Sequence, residues 1–195
     1  MMSATDNEDS VMAEPKKSGS LLGKLFKAFV LLVLLAVAGV MGVTFFVLDG
    51  KYEVSRSVTV KADMDDVHAM CGELKNWPKW QPWTREDPTI STTIVKDTGV
   101  GAHQHWTGKD GNGKVTFTSC DPEKGVEYDM AFDDKYFSKG AITYSDAGGG
   151  MVKVTWAMHG RNEDFIGKWF AVAMPGMIGP YFERGLNDLK TALEK

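Results

Sequence analysis

The chain carries little with which to do conspicuous chemistry. Of its 195 residues only two are cysteine and four are histidine. Cys71 and Cys120 match no metal or redox spacing, and one falls on a predicted helix while the other ends a predicted strand. They read as two separate thiols, although an oxidising compartment would permit a bridge. His103 and His105 share one face of a strand, but zinc needs three or four protein ligands and nothing obvious completes the set, so no metal is expected. His68 and His159 stand alone. No P-loop, Rossmann fingerprint, HExxH or nucleophile elbow occurs. Gly99-Val100-Gly101 and Gly148-Gly149-Gly150 lack the following helix that phosphate cradling requires, so they read as turns, and no cofactor is implied. A basic excess is missing too. Lys and Arg number 22 against 26 Asp and Glu, a net charge of −4, which argues against a nucleic-acid partner.

What the chain does have is one long hydrophobic run. Ala28 to Leu48, AFVLLVLLAVAGVMGVTFFVL, contains no charge, and Thr44 is its one hydrogen-bonding side chain. Twenty-one residues make a helix of roughly 32 Å, enough for a hydrocarbon core of about 30 Å. A cleaved signal peptide, cut after Ala36-Val37-Ala38, is the competing reading. The long preceding region and the apolar sequence continuing past Ala38 favour an uncleaved signal-anchor. Gly39 and Gly42 are three apart, not four, so no transmembrane dimer is predicted. Lys16, Lys17, Lys24 and Lys27 precede the run while Lys51, Arg56 and Lys61 follow it. That asymmetry puts the C-terminal part outside the cytoplasm, in the periplasm of a Gram-negative cell. The expected organisation is a disordered polar tail over 1–27, a transmembrane helix over 28–48 and one domain over 49–195.

Within that domain, Val54 to Val60 alternates as a strand. Asp63 then caps a short helix to Leu74, with Asp66 in the capping-box position. Trp77, Trp80 and Trp83 follow at intervals of three, punctuated by Pro78 and Pro82. They suit packing over a sheet better than gating a mouth or entering a bilayer. From Pro88 the pattern is strand and turn: 89–95, 102–107, a hairpin at Asp110-Gly111-Asn112-Gly113, then 114–120, 126–132, 136–145 and 152–159. The end is helical. Ile178, Phe182, Leu186, Leu189 and Leu193 form one stripe, and Phe165–Ala173 begins the same helix with Pro175-Gly176 as a kink or interruption. The class is α+β.

Four phrases, VSRSVTVKADMDDVHAMCGELKNWPKWQPW (54–83), GVGAHQHWTGKDGNGKVTFT (99–118), VTWAMHG (154–160) and IGPYFERGLNDLK (178–190), together resemble the START-like or SRPBCC superfamily. This is the Bet v 1-like helix-grip fold, and the likeness is to its polyketide cyclase/dehydrase and lipid-transport branch. The resemblance implies a curved antiparallel sheet of about seven strands wrapped around the long C-terminal helix, with an apolar cavity between them. It implies no single activity, because the fold hosts carriers, cyclases and hydrolases.

By alternation, Phe117, Tyr128, Met130, Ile142, Trp156 and Met158 point inward, with Phe170, Met174 and Met177 expected opposite them on the terminal helix. Aromatics and methionines suit an adaptable apolar pocket, and a filled core is the alternative. Tyr128, Tyr144 and His159 are the nominal acid–base candidates, but none has a distinguishing context, so no catalytic residue is assigned. The preferred reading is a membrane-anchored domain binding a hydrophobic small molecule or lipid. The alternatives are an enzyme of the polyketide cyclase or hydrolase type using the same pocket, and a non-catalytic envelope interaction module.

Overall fold

The computed structural model describes residues 21–195. Residues 1–20 of the expected disordered tail lie outside the described part. Two compact units are distinguished, one ending at Gly42 and one spanning Val43–Lys195. The described part of the first is most of helix α1, Leu21–Phe46, whose 26 residues have a mean hydropathy of 2.7 over their most apolar stretch. It starts ahead of Ala28, because Leu21, Leu22 and Leu25 extend the apolar helix past Lys24 and Lys27. At about 1.5 Å per residue it is long enough to cross a membrane.

In the second unit the elements follow in the order β1 (Lys51–Val60), α2 (Met64–Gly72), a 3-10 turn (Leu74–Lys79), α3 (Trp83–Glu86), β2 (Ser91–Lys96), β3 (His103–Gly108), β4 (Gly111–Asp121), β5 (Gly125–Phe132), β6 (Tyr136–Gly148), β7 (Met151–Arg161) and α4 (Phe165–Leu193). The seven strands form one curved antiparallel sheet in the order β1-β7-β6-β5-β4-β3-β2, so the first strand closes beside the last. Each inner strand is joined to the next by a tight turn. Between β5 and β6 that turn holds Asp133 and Asp134 at positive φ, a conformation Asp tolerates better than most side chains.

Three local details depart from the sequence reading. Asp63 is the N-cap of α2, but its side chain makes no capping bond, so the Asp63–Asp66 box is not formed. The hairpin tip lies at Lys109-Asp110, with Gly108 paired to Gly111, because Gly111 takes a φ of 137° and starts β4 early. Pro175 and Pro180 both sit inside α4, which runs unbroken for 29 residues. A proline inside a helix costs about 3 kcal/mol, yet Ala171, Gly179 and Phe182 on either side are buried, and that packing holds the helix together.

Register sets the concave face as rows. Phe117, Tyr128, Gly140, Met158 and Val54 make one; Val115, Met130, Ser138, Gly160 and Tyr52 make the next. Helix α4 runs alongside β1. A Cβ at Gly50 would meet Lys168, Gly179 lies against Arg56, and Lys190 Nζ donates to the Thr59 carbonyl at 2.9 Å.

Candidate functional site: two ends of the concave face

One end of the concave face is solid. Trp156 lies flat on Phe182, ring centroids 3.9 Å apart at 7°, and edge-on to Trp80 at 5.1 Å. Trp77 meets Trp80, Phe117 and Tyr128 at 5.6–6.2 Å. The indole N–H groups are all satisfied: Trp77 donates to Cys71 O at 2.8 Å, Trp80 to Met70 O at 2.9 Å and Trp156 to the Tyr128 hydroxyl at 2.8 Å. Two glycines make this contact possible. A Cβ at Gly140 would strike the Tyr128 ring, and one at Gly185 would approach Trp156 to 2.9 Å. Trp77 and Trp80 therefore pack short helices over the sheet. Trp83, half-buried, stacks on Tyr181 at 4.3 Å, while Arg85–Asp188 and Arg184–Glu86 pairs clip α3 to α4.

The other end is lined by smaller and softer side chains. Helix α4 follows β1 here, with Lys168 near Gly50 and Gly179 against Arg56, and between them Ala171 is buried in, and Met174 packs half-buried against, the core that includes Tyr52 and Val54. Met130 and Met158 share these rows, as does Ser138. Ser138 Oγ is enclosed and makes no hydrogen bond. The Tyr52 phenol is a polar neighbour close enough for Ser138 to ease its ionisation, but the two do not reach hydrogen-bonding geometry. An enclosed hydroxyl left unpaired costs about 1–3 kcal/mol. Burial is the main influence on Tyr52 and raises its pKa.

Tyrosines elsewhere on the face are also kept neutral. Burial pushes Tyr128 up to about 12, partly offset by the Trp156 N–H. Tyr144 is raised by burial, and further by Cys71, Cys120 and Asp121 nearby. Its hydroxyl shares a 2.6 Å hydrogen bond with His68 Nδ1, and His68 Nε2 stands 3.9 Å from Cys120 Sγ. Spacing along the chain gave no hint of this grouping, since its members come from α2, β4 and β6. Both cysteines are free thiols, Cys71 fully buried with its pKa raised by that burial.

Of the residues proposed from sequence to line a cavity, Phe117, Tyr128, Ile142, Trp156 and Met158 are buried in the core. Met130 and Met174 are half-buried against it. Phe170 and Met177 are 50% and 47% exposed. The sequence reading missed Tyr52, Ser138 and Ala171, which share the methionine-lined end. Tyr52 precedes the strand alternation it began at Val54, and no face was assigned to Ser138 within the strand over 136–145. Two recesses open at the surface. One, about 30 Å³, lies between Trp77–Thr84 and Thr92 and Gln104. The other, about 420 Å³, is an open depression where β1 pairs with β7, lined by Tyr52 and Gly160 of the methionine-end row together with Lys51, Glu53 and His159, whose side chains are exposed.

A curved antiparallel sheet closed by a long terminal helix defines the class as helix-grip. The family model described as polyketide cyclase/dehydrase and lipid transport matches residues 51–194, and the chain belongs to that family. Solved structures agree on the fold. Protein CV1439 from Chromobacterium violaceum is 14% identical with a TM-score of 0.57, over 74% of this chain and 99% of that one. A hypothetical protein from Helicobacter pylori is 11% identical at 0.56, over 73% and 88%. Major latex-like protein 151 from Panax ginseng is 16% identical at 0.53, over 74% and 99%. No curated protein matches the sequence.

Proposed function

We propose that the chain is a bilayer-anchored helix-grip domain that takes up a hydrophobic small molecule or lipid against the concave face. The anchor is the apolar run over 28–48, carried by α1, and the domain over 49–195 faces away from the cytoplasm, as Lys16, Lys17, Lys24 and Lys27 ahead of that run favour. Family membership supports the ligand class. The observation that carries the location is the contrast between the two ends. Aromatic rings fill one, whereas Met130, Met158 and Met174 at the other are adaptable, and Ser138 offers an unused hydroxyl. Phe117, Tyr128, Ile142 and Trp156 then form the floor that the ligand abuts, with Phe170 and Met177 at its outer margin.

The test uses the full chain in mild detergent, incubated with a total lipid extract, washed, and analysed by native mass spectrometry. Wild type is expected to retain a defined apolar ligand. M174W, which fills the methionine end, should lose it and so report the background of non-specific lipid. Wild type as empty as M174W overturns the proposal. The contact between Trp156, Phe182 and Trp80 favours one second reading, an interaction module with a filled interior. That reading predicts an empty protein that instead co-purifies with an envelope partner.

A further inference from the structure

We infer that the first half of α4 is an interfacial membrane element, its apolar side embedded at the bilayer surface beside the end of α1. The proposal rests on the anchor reading and goes beyond it, because it fixes which face of the domain meets lipid. From Phe165 to Phe182 the helix carries a single charge, Lys168. Its inner side needs little of that apolarity, since Gly167 and Ala171 are the buried residues of the first two turns. Phe165, Ile166, Trp169, Phe170, Val172 and Met177 are exposed, Ile166 by 66% and Val172 by 61%. A continuous apolar patch of this kind is rarely left to water.

The occupant follows from what the patch touches. Trp169 Nε1 donates to Thr44 Oγ1 at 2.8 Å, and Lys168 Nζ donates to the Thr44 carbonyl at 3.1 Å. Phe45 packs on Phe165 with centroids 6.4 Å apart. Thr44 is the one polar side chain of the apolar run, two residues before α1 ends and five before the first charge, Asp49. Two residues are about 3 Å of helix, so Thr44 stands close to the hydrocarbon boundary. Trp169 is bonded to it and shares its depth, the level at which tryptophan is enriched. Lys168 turns its ammonium back to the Thr44 backbone carbonyl and over the Phe45 ring, 6.0 Å from its centroid. The patch is thus continuous with a segment that already lies in lipid. A helix that rests Gly167 and Ala171 on the folded domain and turns its other apolar side chains outward at that level can lie against the bilayer surface.

The experiment places an environment-sensitive NBD label at single cysteines in a C71A/C120A background: V33C in α1, F170C on the patch, and M151C at the far end of β7. The full chain is reconstituted in phosphatidylcholine vesicles with and without spin-labelled lipid. Expected are strong quenching at 33, clear but shallower quenching at 170, and none at 151. A label at 170 that behaves like 151 while 33 is quenched overturns the inference and leaves the anchor standing. Loss of quenching at 33 as well removes the anchor reading and this inference together. A blue-shifted label at 170 that spin-labelled lipid does not quench, and that reverts on dilution with lipid, assigns the patch to a second copy and also overturns the inference. A parallel measurement keeps the native cysteines. Tryptophan quenching by brominated lipid in wild type minus that in W169F isolates Trp169, which should account for most of the quenched signal, and equal quenching in the two would count against interfacial placement.

Discussion

From Gly179 to Leu193, α4 turns Phe182, Leu186 and Leu189 to the sheet and keeps Glu183, Arg184 and Asn187 in solvent. From Phe165 to Ile178 the same helix is apolar nearly all round and buries only Gly167 and Ala171. The later half is shaped by what it packs on, whereas the earlier half leaves most of its large apolar side chains exposed. One helix can serve two environments because a stripe satisfies a sheet, while an unstriped segment suits surroundings that are apolar on more than one side.

The sharpest break between the halves comes from truncating a core ring. W156A should cost about 3–5 kcal/mol by denaturant unfolding in detergent, since it leaves Phe182 and Trp80 facing a void. M177A, exposed on the earlier half, should stay within about 0.5 kcal/mol. Equal losses would erase the distinction.

Alkali should loosen the solid end next. Tyr128 titrates near 12 when folded and near 10 when unfolded. The unfolded state therefore releases its proton first as pH rises. Stability is intact below pH 10 and falls through pH 12 by about 2–3 kcal/mol. Y128F should be weaker at neutral pH, through loss of the Trp156 bond, but flatter across that window; identical slopes in wild type and Y128F would rule Tyr128 out as the source.

The finest comparison uses two glycines of α4. G185A drives a methyl to 2.9 Å from Trp156 and 3.3 Å from Pro82, and should cost about 1–3 kcal/mol. G176A meets nothing within 4 Å, and should leave stability unchanged or raise it by up to about 1 kcal/mol. Thermal midpoints shifting the same way in both would show that α4 packs alike along its length.

Much of this architecture could be read along the chain because it rests on period. Val126, Tyr128 and Met130 alternate with charged or small residues and do face inward, and the stripe from Ile178 to Leu193 does lie on the sheet. Period says which way a side chain points and nothing about whether neighbours leave room. The aromatic cluster needs Gly140 beside the Tyr128 ring and Gly185 beside Trp156, glycines that come from different elements. The His68–Tyr144–Cys120 grouping was hidden for the same reason, its members lying 52 and 76 residues apart. Of the two readings at Pro175, kink or interruption, the interruption does not occur, because buried residues on either side hold α4 together through the proline.

Between Phe46 and Lys51 only Val47, Leu48, Asp49 and Gly50 intervene. Gly50 is itself fastened, its carbonyl receiving the Asn162 N–H at 2.9 Å. Four residues stretch at most about 14 Å, so the domain has no leash on which to forage. On the anchor reading proposed above, the domain would meet its ligand only within that reach of the bilayer surface.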